Sequence, residues 1–136
     1  NARRYHAGFG IQTAAIMFGG YTNPGNTGTA LAESYDGTNW TSATSFPEVI
    51  TSNTSFGTST AGVSSGGGTT PTSPVQTKTF DGSSWTTQGN SANPTDTIQG
   101  SGTSTAGLKA CPGSNTNSEE YTGPFQEVQV QTVTTS

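Results

Sequence analysis

Along the first half of the chain, apolar positions come in short bursts separated by glycine and small polar residues. Arg4–Phe9 alternates Tyr5, Ala7 and Phe9 against Arg4, His6 and Gly8, a period of two that predicts a strand. After a glycine turn, Thr13–Phe18 is a small-to-apolar run suited to burial on both faces, ended by Gly19-Gly20. A polar loop, Thr22–Thr29, leads to a third strand over Leu31–Tyr35. Asp36-Gly37-Thr38-Asn39 then reads as a hairpin turn, because Asp and Gly tolerate the left-handed backbone such turns need. A fourth strand starts at Trp40 and ends near Phe46-Pro47.

The pattern then recurs. GFGIQTAAIMFGG (Gly8–Gly20) returns as SFGTSTAGVSSGG (Ser55–Gly67) and as GSGTSTAGLKACPG (Gly100–Gly113). Setting Gly10, Gly57 and Gly102 in register gives spacings of 47 and 45 residues. A second block follows each time: ESYDGTNW ends at Trp40, KTFDGSSW at Trp85 and SEEYTGPF at Phe125, aligning Tyr35, Phe80 and Tyr121. The reading is one all-β repeat domain over 1–136, with units of roughly 1–48, 49–95 and 96–136. Each unit of about 45 residues holds four short antiparallel strands, a length and strand content that fit a propeller blade better than a helical solenoid.

Composition supports strands and argues against helices. Thr, Ser and Gly number 27, 17 and 19 of 136 residues, while Leu, Ile, Val and Phe together number 18. So few large aliphatics would permit disorder, but disorder also needs high net charge, and here it is only −4. Thr and the twelve aromatics suit a pleated, half-buried surface. With Arg3, Arg4, Lys78 and Lys109 as the only cations, no basic surface exists to neutralise a run of phosphates or to dock on anionic lipid. No apolar run approaches the roughly 18 residues that span a bilayer. Nucleic acid and membrane insertion are therefore not expected partners.

Candidate chemistry is sparse. His6 is the sole histidine and Cys111 the sole cysteine, which leaves neither a two-histidine metal site nor an intrachain disulfide. Asp36 and Asp81 occupy equivalent places, but their loops hold no further carboxylates, so each reads as an Asx turn rather than a calcium ligand. Glu119-Glu120 are strand neighbours and point to opposite faces, which spoils them as an acid–base couple. Asn39-Trp40-Thr41 and Asn53-Thr54-Ser55 match the short glycosylation sequon. The glycine-rich stretch Gly100–Gly107 lacks the lysine of a phosphate-binding loop. The expectation is a protein without catalytic residues, cofactor or metal, and not an enzyme.

The recurring residues carry a resemblance. An apolar run ending in Gly-Gly, then Tyr or Phe, then Trp past a turn, then Pro opening the next unit, resembles the kelch repeat. The matching positions are Gly19, Gly20, Tyr35, Trp40 and Pro47, then Gly66, Gly67, Phe80, Trp85 and Pro94. The third unit keeps Tyr121 but has Cys111-Pro112 for the glycine pair and Phe125 for Trp. The resemblance implies kelch-like β-propeller blades in which Trp40 and Trp85 are both buried between blades. The wording also looks like the Thr/Gly-rich repeat arrays of marine, cyanobacterial bacteriophage structural proteins. That resemblance implies a virion component, in a tail fibre, spike, appendage or surface decoration, whose partners are its own copies or other virion proteins. The alternative is a secreted carbohydrate- or receptor-binding propeller module, contacting host-surface carbohydrate through loops such as Tyr21–Ala30 and Gly68–Val75. Because the chain opens on Asn1 within its first strand, it is expected to be the C-terminal part of a longer array, and its last segment, VQVQTVTTS, to clasp a neighbouring blade or chain.

Overall fold

The computed structural model describes residues 2–68, 76–90, 99–110, 117–123 and 129–132. Among them there is no helix, and every regular element is an antiparallel strand. Three four-stranded meanders follow one another along the chain. The first is β2 (Ala7–Ile11), β3 (Ala14–Phe18), β5 (Ala32–Tyr35) and β6 (Trp40–Ala43). The second is β7 (Thr54–Thr58), β8 (Ala61–Ser65), β9 (Gln76–Phe80) and β10 (Trp85–Asn90). The third is β11 (Gln99–Thr103), β12 (Ala106–Ala110), β13 (Asn117–Tyr121) and β14 (Gln129–Thr132). The sheets begin at residues 7, 54 and 99, which reproduces the 47- and 45-residue spacing of the repeat.

One expectation about strands is corrected. Arg4–Phe9 is not one strand: Tyr5 has a positive φ of 54° and breaks it. Arg3–Arg4 (β1) instead pairs with Tyr21–Thr22 (β4) as a separate two-stranded ribbon, and Tyr5 is 57% exposed rather than sharing the buried face of Ala7 and Phe9. Part of the tail pairs within its own sheet. Its residues Gln129–Thr132 pair with β13 and complete the third sheet, because that sheet otherwise lacks its outer strand.

The hairpin turns form as their residues dictate. Asp36 Oδ1 accepts the backbone N–H groups of Thr38 and Asn39 at 2.8 and 2.7 Å, and Asp81 Oδ1 accepts those of Ser83 and Ser84 at 2.8 and 2.7 Å. These bonds favour the charged form and hold both carboxyls below their ordinary value. The paired glycines end β3 and β8 where the chain must turn left-handed, with φ of 68° and 91° at Gly19 and Gly20 and 68° and 94° at Gly66 and Gly67. In the first sheet this turn aims the Gly20 N–H at the Ile50 carbonyl (2.8 Å), tying the sheet to the segment that enters the next one.

The sheets stand in a row, with first strand beside first strand: β2 lies against β7, and β7 against β11. Ser55 fastens the first junction, donating to the Gly8 carbonyl at 2.7 Å and accepting the Gly8 N–H at 3.1 Å. The core lies between sheets. Phe9, Ile16, Phe18, Phe46, Ile50 and Phe80 form the cluster between the first and second, and Phe56, Val63 and Tyr121 that between the second and third. Two-sided burial holds for β8, which is covered by a sheet on each side. It fails for β3, where Ile16 and Phe18 are buried but Ala15 and Met17 are only partly so.

Candidate functional site

The repeat positions build one recurring device, a slot on one face of a sheet that receives a side chain from the sheet before it. In the second sheet, Gly62 forms the floor of the slot, and Phe80 and Trp85, cross-strand partners with rings 4.7 Å apart, form its wall. Phe9 of the first sheet enters it, with ring centroids 6.2 Å from Phe80 and 6.0 Å from Trp85. The approach is so close that a Cβ on Gly62 would lie 2.2 Å from the Phe9 ring. The third sheet repeats the arrangement: Phe56 sits over Gly107, where a Cβ would meet it at 2.2 Å, and its ring packs edge-on to Tyr121 at 5.8 Å. Side-chain-free floors are what let two backbones and an aromatic ring occupy one layer.

Trp85 reaches back across the same junction. Its ring lies 4.9 Å from Phe18 and 4.8 Å from Phe46, and its indole N–H donates to the Thr44 carbonyl at 3.1 Å. Trp85 therefore belongs to its own sheet but is covered in part by the preceding one.

Trp40 occupies the equivalent position, cross-strand from Tyr35 with rings 5.0 Å apart. The expectation that it is buried is corrected: it is 50% exposed, because among the described residues no sheet lies against this face. The slot it walls is open to solvent, a shallow depression lined by Gly8, Gly10, Ala15, Met17, Tyr35 and Trp40 among others. At the opposite end of the row, the third sheet's outer face carries Ser101 and Leu108 as cross-strand partners, with Leu108 48% exposed and Glu120 beside it.

Sequence reasoning missed a charge placed two residues before each slot aromatic. Glu33, Lys78 and Glu119 hold that position in the three sheets. Glu33 pairs with Arg3, which also donates to the Leu31 carbonyl at 2.7 Å. Lys78 is 3.2 Å from Glu48 and lies over the Phe46 ring at 5.8 Å. Lys109 is 3.2 Å from Glu119, both side chains being 3% exposed. The alignment of Tyr35, Phe80 and Tyr121 contained the signal, but the reversal of sign in the second unit hid it.

The remaining candidates are scattered. His6 is exposed at the edge of the open slot. Glu119 is buried while Glu120 is exposed, so the pair does diverge. Asn53 is buried with its amide donating to Ser64 Oγ at 2.7 Å, which removes it as a glycan acceptor, whereas Asn39 is exposed on its turn. Among the described residues no group of three or more His, Cys, Asp or Glu could hold a metal ion. Burial pushes the Tyr121 hydroxyl above its ordinary pKa. Pro94, Cys111, Pro112, Phe125 and most of the loop Gly68–Val75 lie outside the described residues.

No family model and no curated protein matches this chain. Among solved structures, YjhT, a protein of kelch, propeller-like fold, superposes with a TM-score of 0.75 at 14% identity. The match covers 96% of this chain but only 46% of that one. It extends to the fold of the sheets and no further.

Proposed function

We propose that the three sheets are kelch-like propeller blades and that the chain is a structural module of a phage virion, in a tail fibre, spike, appendage or surface decoration. The observation that carries the assembly role is the exposed face at each end of the row. The first blade presents an unfilled aromatic slot and the third an exposed Leu108, both continuous with interfaces that are buried inside the chain. Faces of this kind call for cover by further blades, whether of a longer polypeptide, of other copies or of other particle proteins. The phage setting rests on the likeness of the repeat wording to Thr/Gly-rich virion arrays. A Thr- and Ser-rich surface with few charges suits a particle exposed to water and proteases.

Particles purified from the source on a density gradient decide the matter. Peptides of this chain should co-sediment with capsid and tail proteins in many copies per particle. Their presence only in the soluble or secreted fraction would overturn the virion assignment.

A further inference from the structure

We infer that the junction between the second and third sheets binds a single buried water molecule, held by the Tyr121 hydroxyl together with Ser65, Thr77 and the Lys109–Glu119 pair. This site lies inside the row of sheets and is independent of the virion assignment. Its basis is a set of replacements at positions matched by the repeat register. Phe18 and Ala32 are cross-strand partners in the first sheet, and Ser65 and Thr77 hold the same paired positions in the second. Phe80, the slot aromatic of the second sheet, is replaced by Tyr121 in the third. The first junction is filled with rings, Phe18 lying 5.1 Å from Phe46 and 4.9 Å from Trp85. At the second junction two hydroxyls take the places of a ring and a methyl group, and the facing sheet brings a third hydroxyl.

The smaller side chains leave a cavity of about 10 Å³ lined by Phe56, Ser65, Thr77, Lys109, Glu119 and Tyr121, all of them buried. That is about the room one water molecule needs. Tyr121 Oη is itself buried, and among the described residues no hydrogen-bond partner reaches it. A buried hydroxyl in that position carries its full desolvation penalty unless a water satisfies it. Burial pushes the Tyr121 pKa above its ordinary value, so the group stays protonated and is a donor.

The rest of the lining selects the ligand. The hydroxyl oxygens of Ser65 and Thr77 stand 3.3 Å apart and share one hydrogen, which leaves lone pairs able to accept from a water. Lys109 and Glu119, 3.2 Å apart, place an ammonium and a carboxylate on the same wall. An anion there would meet the Glu119 carboxylate and a cation the Lys109 ammonium, so the paired charges favour a neutral guest. Water accepts from Tyr121 and gives its own hydrogens to the opposing oxygens, which satisfies the polar groups that replaced the rings of the first junction.

A crystal structure of the 136-residue chain, at a resolution that orders solvent, tests the site directly. One solvent peak should lie within hydrogen-bond distance of Tyr121 Oη and of a polar atom of Ser65, Thr77, Lys109 or Glu119. No peak there, or a protein group bonded directly to Tyr121 Oη, would overturn the inference. Tyr121→Phe installs the residue that the second sheet already carries at this position, so the variant should keep its β fold by far-UV circular dichroism. Its urea midpoint should fall, because a satisfied buried hydroxyl is lost. An unpaired hydroxyl behaves in the opposite sense, so a midpoint that holds or rises would overturn the inference as well. Particle composition reports on the virion assignment separately, so the two readings fail independently.

Discussion

At the scale of single residues, what a side chain does is decided by the neighbouring sheet as much as by its own. Trp40 and Trp85 hold equivalent repeat positions, each cross-strand from a slot aromatic, yet Trp85 packs against Phe18 and Phe46 while Trp40 is half exposed. The repeat made their equivalence legible in the sequence. Their different burial was not, because it depends on which face meets the preceding unit, and periodicity along one chain carries no such direction. Trp85→Ala should lower unfolding free energy by about 3–5 kcal/mol, as large core truncations do. Trp85→Phe should retain most packing and lose chiefly the indole bond to Thr44, about 0.5–1.5 kcal/mol. Urea unfolding of both variants checks the pair of values, and equal losses would contradict the roles assigned to ring and N–H.

At the scale of elements, turns and ion pairs set strand ends and register. The DG turns were readable because Asp and Gly act locally, whereas the ribbon β1–β4 was not, since Arg3 and Tyr21 are brought together only by tertiary contacts. Asp36 and Asp81 have folded pKa values below the ordinary 3.8, so in this range the unfolded chain binds more protons. Their contribution is complete well above pH 3.8 and is lost as pH falls through the lowered folded values. Melting temperature should therefore drop on acidification from pH 5 to pH 2, and Asp36→Asn with Asp81→Asn should flatten that drop. An unchanged acid profile in the double variant would count against the turn assignment. Between the second and third sheets, Glu119→Gln removes the carboxylate 3.2 Å from buried Lys109 and should cost about 3–5 kcal/mol, whereas replacing both residues by apolar ones of similar volume should be near neutral. Chemical denaturation of the single and double variants separates these outcomes.

At the scale of the whole molecule, the fold is a row of three small sheets, each too thin to bury a core alone, stabilised by rings seated on glycine floors. The all-β class, the repeat period and the number of units could be read from GFGIQTAAIMFGG and its two echoes. The packing of one unit on the next could not, because Phe9 and Gly62 lie in different copies and neither is unusual by itself. Their contact is nevertheless the feature on which the sheet-to-sheet arrangement, the exposed end faces and the assembly proposal all depend. A double-mutant cycle on Phe9 and Gly62, read by equilibrium unfolding, tests it most directly. Phe9→Ala should cost about 3–5 kcal/mol, and Gly62→Ala about 1–3 kcal/mol through overpacking. In the Phe9→Ala background, Gly62→Ala should cost almost nothing, leaving a coupling of at least about 0.5 kcal/mol and up to about 3 kcal/mol. Additive losses, with Gly62→Ala equally harmful whether or not the phenylalanine ring is present, would contradict the account.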